Sequence, residues 1–481
     1  MYDFDNSKKS KSCGKENFVM KKTYILTLIF SIALLLLPYA TPVNAQSSST
    51  GAPGTWVSSI NIQNMSSTSP ANVVLQFYNA AGNNVLSFTV TPAIPANGSR
   101  SLYVPAEIPG LSSGQFSVVA SSDTPIRVVV NSSSSNPSTA GAYEGIEAGE
   151  TATTLYFPGL YNNYYGFYSE IIIQNADSSD ANIQIQFYNQ KTGAAVGSPY
   201  TATLKPGASN VFVLSNLAPS LPSGNVNGLF AAKVTSDRKI GGIANIWTSA
   251  KFGEYSSYNG FASGSDKIYV PALYNSYYGF VSSLTVQNIG ASPTTVTVTY
   301  SNGTTETFNL NPGLSKELYQ PNNASLPSGN VNGVFSAKIE ASAGSSVVAI
   351  VNVEDKTKGS LASYNGSALT GTKIGCPVVL KSFYKWFSAE TVQNVGSNNT
   401  NITVKYASGQ TRTFNNVPPN GTINVIELAN AGSVLPDASS VAATFESSGE
   451  PLLVVVQENS NERYVTTPGD YLLAYTCKPI P

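Results

Sequence analysis

The side chains that could do chemistry in this chain are few in type, and the gaps are as informative as the residues present. No histidine occurs in the 481 residues, so neither a Ser-His-Asp nor a Cys-His nucleophile arrangement can be built, and imidazole metal ligation is excluded. Gly110-Leu111-Ser112-Ser113-Gly114 matches the spacing of a nucleophile elbow. That elbow needs a strand-turn-helix setting and a base, and this copy lies in a Ser-rich turn, so a loop is expected. Carboxylates are scattered: Asp177 with Asp180, Glu354 with Asp355, Glu458 with Glu462. A glycosidase pair drawn from distant positions stays open, but no pairing recurs along the chain and solvated surface is the expectation. No calcium loop of the D-x-[DN]-x-[DN]-G type occurs. The chain is therefore expected to be no enzyme and to need no cofactor or metal.

Rings are the other candidates. Leu160 to Asn175 reads LYNNYYGFYSEIIIQN, a cluster of aromatics that runs into an Ile-rich strand. Tyr161, Tyr164 and Tyr165 correspond to Tyr274, Tyr277 and Tyr278 and, loosely, to Leu380, Phe383 and Tyr384. Two uses fit them. Packing at a junction with the preceding repeat would stiffen an array, and a platform of Tyr with neighbouring Asn would stack on sugar faces. Their absence from the first repeat, which has no predecessor, favours the junction.

The elements that position these rings follow from self-similarity. Gln-Asn recurs at Gln63-Asn64, Gln174-Asn175, Gln287-Asn288 and Gln393-Asn394, a period of 106 to 113 residues. Seven residues before each Gln stands Trp56, Phe167, Phe280 or Trp386, on the apolar side of a strand and so expected in core or domain-end packing. Glu390 breaks that apolar pattern, for which a distorted strand end is the expectation. A second strand alternates after each Gln-Asn, as in Val296, Val298 and Tyr300. A Pro-Gly or Asn-Gly turn and two late strands complete the unit. Asn302-Gly303 between apolar runs predicts a tight hairpin with positive φ at both turn positions.

About 100 residues per unit, short strands and frequent turns predict an all-β protein of four tandem immunoglobulin-like β-sandwich domains. The predicted division is 1–45 leader, 46–53 flexible lead, then repeats over 54–150, 151–264, 265–371 and 372–481. Helical periodicity is absent outside the leader.

Met20-Lys21-Lys22, the apolar run Ile25 to Leu37 and the small residues Val43-Asn44-Ala45 read as a secretory signal peptide with its start at Met20. The apolar run is short for a bilayer span, so no transmembrane segment is expected in the mature chain. Two cysteines then remain, Cys376 and Cys477, and an oxidising compartment makes a disulfide the expectation. Removing the first 45 residues leaves 20 basic against 24 acidic residues, a balance of −4. That charge argues against nucleic acid. Asn302, Asn323, Asn365 and Asn420 open Asn-x-Ser/Thr glycan acceptor sequences.

The strand Val286-Gln287-Asn288-Ile289-Gly290, the alternating Val296 to Tyr300 and the turn Asn311-Pro312-Gly313 resemble bacterial cell-adhesion-related (CARDB-like) domains, as do Val392 to Gly396 with Ile402 to Tyr406. The resemblance implies an extracellular immunoglobulin-like fold and contact with a surface. The functional expectation is a secreted or cell-surface structural or adhesive protein acting without catalysis, with self-assembly into a filament or surface layer as an extension. Its partners would be other surface proteins, further copies of itself, or glycans. The alternative is a carbohydrate-binding accessory module that uses the Tyr loops.

Overall fold

In the computed structural model the described residues are 51–135, 138–217, 219–248, 253–355, 358–460 and 469–480, with the backbone of Thr41–Val43. The predicted leader and most of the lead lie outside them, save that Thr41–Val43 pairs antiparallel with Ser117–Ser122. The chain is all-β. Among the described residues its α-helices are single turns, Val104–Glu107, Gly224–Asn227 and Gly329–Asn332.

The recurring Gln-Asn has a local cause. Each Asn is buried at the end of its strand and its side chain pins the turn that follows. Asn175 Nδ2 donates to Ser179 O at 2.7 Å and to Leu204 O at 3.0 Å, while Oδ1 accepts Asp177 N at 2.9 Å. Asn288 and Asn394 repeat all three bonds, and Asn64 makes the equivalent set. A buried amide that satisfies three backbone groups cannot be exchanged cheaply, which fixes the residue type at this station.

Around each pinned strand the sequence builds the same strand order, split into two sheets in the first and last repeats and joined into one continuous sheet in the second and third. In the first repeat one sheet runs Ser99–Tyr103, Trp56–Asn64, Ile126–Ser135, Ser138–Glu144, and the other Thr41–Val43, Ser117–Ser122, Val73–Tyr78, Asn84–Thr89. The last repeat keeps both orders, with Leu472–Thr476 at the end of the first sheet and Lys478–Pro479 added beside Lys373–Lys381 as a fifth strand of the second. In the second repeat Leu229–Thr248 runs unbroken for 20 residues and joins the two halves into one seven-stranded sheet. Alternating side chains such as Val73, Leu75 and Phe77 meet Ile60 and Ile62 between the sheets, forming a β-sandwich core. The hairpin at Asn302-Gly303 forms between Thr294–Tyr300 and Thr305–Leu310. Only Gly303 takes positive φ, at 86°, because the loop has more than the two residues expected.

The repeats do not string out as the array expected from the sequence. They close on one another. The strands Ser138–Glu144, Tyr255–Asn259, Ser360–Asn365 and Leu472–Thr476, one from each repeat, neighbour each other in the cyclic order first, second, third, fourth, first. The cores interlock in the same sense. That of the first repeat takes in Ile172 and Ile243, the second Ile350 and Leu361, the third Val455 and Leu472, and the fourth Val129 and Ala140. Val129, Ile243, Ile350 and Val455 occupy one register position opposite the Gln-Asn strand. A single head-to-tail contact is thus used four times, and its rotation closes. Cys376 and Cys477 form a disulfide with Cα atoms 5.0 Å apart, tying the first strand of the fourth repeat to the chain's last turn.

Glu390 lies inside the strand Trp386–Asn394, fully buried, so the departure from apolar pattern is not a strand-end distortion. Neither of its carboxyl oxygens has a hydrogen-bond partner from another described residue. Burial, with Glu427 close by, holds the group protonated far above the usual carboxyl range.

Candidate binding surface at the tyrosine hairpins

Three equivalent hairpins carry the rings. Ala152–Tyr164 turns into Phe167–Asn175, Lys267–Tyr277 into Phe280–Asn288, and Lys373–Lys381 leads to Trp386–Asn394. The two turn residues have positive φ in each case: Tyr165 and Gly166 at 49° and 84°, Tyr278 and Gly279 at 50° and 91°, Tyr384 and Lys385 at 48° and 71°. Asn and Gly are the usual occupants of such positions, and a bulky ring there is uncommon. The backbone is held from outside the hairpin, because Asn225 Oδ1 accepts Tyr165 N at 2.7 Å and Asn330 Oδ1 accepts Tyr278 N at 2.8 Å. Asn225 and Asn330 come from the string Leu-Pro-Ser-Gly-Asn-Val-Asn-Gly that the second and third repeats share.

Within each hairpin the rings fall into three layers. The innermost, Tyr161 and Tyr274, are buried. Tyr164, Tyr277 and Phe383 are half-buried. The outermost, Tyr165, Tyr278 and Tyr384, are 68%, 58% and 84% exposed. Middle and outer rings meet edge to face at 4.8, 4.9 and 4.8 Å, the electrostatically favoured arrangement. Beside the outer rings stand two exposed valines, Val226 and Val331.

The inner layer does lie at a junction, but with the following repeat instead of the preceding one. Asn352 Nδ2 donates to Tyr161 Oη at 3.0 Å, and Tyr274 Oη donates to Gln457 Oε1 at 2.6 Å. The direction follows from the ring, in which every repeat has a successor. Burial raises both phenols above their ordinary range, Glu317 adding to the effect at Tyr161. Trp56, expected in core or domain-end packing, packs on Tyr255 of the second repeat at 4.3 Å.

Between the second and third repeats the rings border a cleft of about 390 Å³. Tyr161, Tyr164, Tyr165 and Phe167 form one wall, with Glu317 and Glu354 opposite. At the next junction Asn424 and Asn459 hold the registers of Glu317 and Glu354, so the acidic wall is peculiar to this cleft.

Two further groupings were not assembled by the sequence reading, which marked Glu390 only as a break in the apolar pattern. Glu390 and Glu427 sit in the fourth core with Tyr406, whose hydroxyl donates to Glu427 Oε1. Glu144, Glu150 and Lys478 gather where the four closing strands end. Their signal was the final Tyr-polar pair of each repeat, Tyr143-Glu144, Tyr258-Asn259, Tyr364-Asn365 and Tyr475-Thr476. No helix among the described residues is long and apolar enough to cross a membrane.

No family model matches the chain, and no curated protein matches it. Among solved structures, a Thermotoga maritima protein (1070) aligns at 18% identity over 23% of this chain and 93% of its own, with a TM-score of 0.20. The Anabaena sensory rhodopsin transducer aligns at 23% identity over 18% and 89%, with a TM-score of 0.16. A tetra-tandem repeat from the extending region of a large adhesion protein aligns at 13% identity over 92% and 99%, with a TM-score of 0.10. At such scores these likenesses carry no argument, and what the chain does is argued from its own side chains.

Proposed function

We propose that the chain is a secreted or cell-surface protein that works by non-catalytic contact, built as four immunoglobulin-like sandwiches over 54–150, 151–264, 265–371 and 372–481. Closure into a ring replaces the extended array, and the hairpins give it a contact face. The observation that carries this reading is the repeated presentation of Tyr165, Tyr278 and Tyr384, exposed in the same left-handed conformation on equivalent hairpins. Backbone strain and solvent exposure at one ring is an accident. At three it is a feature that folding does not require.

The test is binding of the purified chain to cell surfaces, matrix proteins and a glycan array, with self-association followed by sedimentation. Tyr165→Ser, Tyr278→Ser and Tyr384→Ser together should remove contact while leaving the melting temperature unchanged. A monomer that binds nothing in any format would overturn the proposal. The outer edge strands Asn84–Thr89, Ala195–Leu204, Thr305–Leu310 and Thr411–Val417 end their sheets, and extension into a filament would use them.

A second reading is carbohydrate binding in the cleft between the second and third repeats. Ring faces of Tyr164 and Tyr165 beside Asn322, Glu317 and Glu354 favour it. Glu317→Gln would then weaken a glycan signal that the Tyr278→Ser and Tyr384→Ser changes leave intact.

A further inference from the structure

Ring closure creates a cavity that no single repeat contains. It has a volume of about 550 Å³ and lies where the four closing strands end, with residues from all four repeats in its wall. Its floor is one station repeated four times: Glu144, Asn259, Asn365 and Thr476. These residues bond around the circuit. Asn259 Nδ2 donates to Glu144 O at 2.9 Å, Asn365 Nδ2 to Asn259 O at 2.7 Å, Thr476 Oγ1 to Asn365 O at 2.7 Å, and Thr476 N to Glu144 Oε1 at 2.6 Å.

We infer that this axial cavity is a binding site for one small molecule with an ammonium group on an aliphatic body. Three observations define the class. First, the charged side chains in the wall are Glu144, Glu150 and Lys478, an excess of one acid. Lys478 Nζ is already held by both oxygens of Glu150 at 2.6 Å. Behind them Glu147 pairs with Arg127, so among the described residues no free basic group faces an incoming anion.

Second, the circuit uses its donors internally and leaves an acceptor over. Asn259 is 8% exposed and its Oδ1 accepts no hydrogen bond from a described residue. A buried acceptor without a partner costs on the order of 1–3 kcal/mol, and a donor brought from the cavity side relieves that. Third, the remaining wall is apolar, including Ile146, Leu155, Phe261, Ile268, Val347 and Val348. An aliphatic body with a donating cationic head matches all three, and the volume suits a small ligand.

The charged groups facing Glu144 are Lys478 and Glu150, with Glu147 beyond Lys478 and Arg127 beyond Glu147. Burial pushes the Glu144 carboxyl up to about 7, against the pull of Lys478. Its ionised form therefore appears as pH rises through neutrality, and affinity for an ammonium ligand should rise with it.

The experiment is isothermal titration of the purified chain with n-butylammonium, n-butyrate and butanol at pH 6 and pH 8. The expected result is one ammonium per chain, about ten-fold tighter at pH 8, with no heat from butyrate. Glu144→Gln should flatten the pH dependence. Ala368→Trp, at an exposed position in the wall, should block binding by filling the cavity and does not depend on the buried acid for folding. Butyrate or butanol binding as well as the amine, an absence of amine binding, or amine binding untouched by Ala368→Trp would each overturn the assignment.

Discussion

Asp470 Oδ2 accepts the backbone N–H of Tyr255 at 2.7 Å across 215 residues of sequence. The same carboxyl takes Leu361 N at 3.1 Å and Leu472 N at 3.2 Å on Oδ1, while Asp470 N donates to Ser138 O at 2.8 Å. One buried residue thus joins closing strands from all four repeats at the end opposite Glu144. Burial pushes its pKa upward and the three amide donors pull the other way. Asp470→Asn turns one acceptor oxygen into a donor that faces another N–H. It should cost about 1–3 kcal/mol in chemical denaturation. Small-angle scattering should show an expanded particle if the ring opens before the sandwiches unfold.

The pH dependence of stability has a definite sign. Burial pushes Glu458 up to about 8 from an ordinary 4.5, although Asn131 Nδ2 donates to it across the junction of the first and fourth repeats. A carboxyl whose folded pKa is raised contributes stability that is fully present below the unfolded value. That contribution is lost as pH rises through the folded value. The melting temperature should therefore fall between pH 4.5 and pH 8, and Glu458→Gln should flatten the slope. Every tenfold change in proton affinity between the folded and unfolded chain corresponds to about 1.4 kcal/mol, so the effect is on the order of several kcal/mol. A melting temperature that rises over that interval would contradict the assignment.

Inner and outer rings should separate cleanly in mutagenesis. Tyr161→Phe removes the acceptor for Asn352 Nδ2 inside a buried junction, and a cost of about 1–2 kcal/mol is expected. Tyr165→Ser, on the exposed tip, should stay within about 0.5 kcal/mol. If Tyr165→Ser proves as destabilising as Tyr161→Phe, the outer rings are structural and the contact proposal loses its main support.

The disulfide closes a separation of 101 residues. On the chain-entropy account, replacing Cys376 and Cys477 with Ser should cost up to about 4–5 kcal/mol. Denaturant titration of the double variant against the oxidised parent measures it directly.

Strands and turns were legible in the sequence because their causes are local. Alternation places Val73, Leu75 and Phe77 on one face, and Asn175 chooses partners four and 29 residues away. Closure was not legible, since its bonds join residues such as Tyr255 and Asp470 through backbone amides that carry no residue signature. For the rings, Tyr161 and Tyr274 recur at one station, and the sequence pointed to the preceding repeat where the hydrogen bonds reach the following one. The direction depended on the circuit, and the three layers depended on how far each ring stands from the strand. Glu144 had the recurring Tyr-polar pair as its one signal, and its role stayed hidden for a related reason. One acid at the end of one strand means nothing until Thr476 and Asn259 arrive beside it.

Glu390 offers the sharpest check on the repeat itself. The equivalent positions in the other three copies are Ile60, Ile171 and Leu284, all fully buried in their cores. In the fourth copy a carboxyl occupies that site without a hydrogen-bond partner from another described residue, close enough to Glu427 for repulsion to raise its pKa further. Keeping it protonated avoids a buried charge but leaves two polar atoms unsatisfied. Glu390→Leu removes both and supplies the branched side chain that the third copy uses at the same register. The change should stabilise the protein by about 1–3 kcal/mol, with the gain largest at high pH, where the wild-type carboxyl is forced toward ionisation. A loss of stability would mean that the acid has a partner such as an ordered water, and that the fourth sandwich is organised around a polar centre the other three lack.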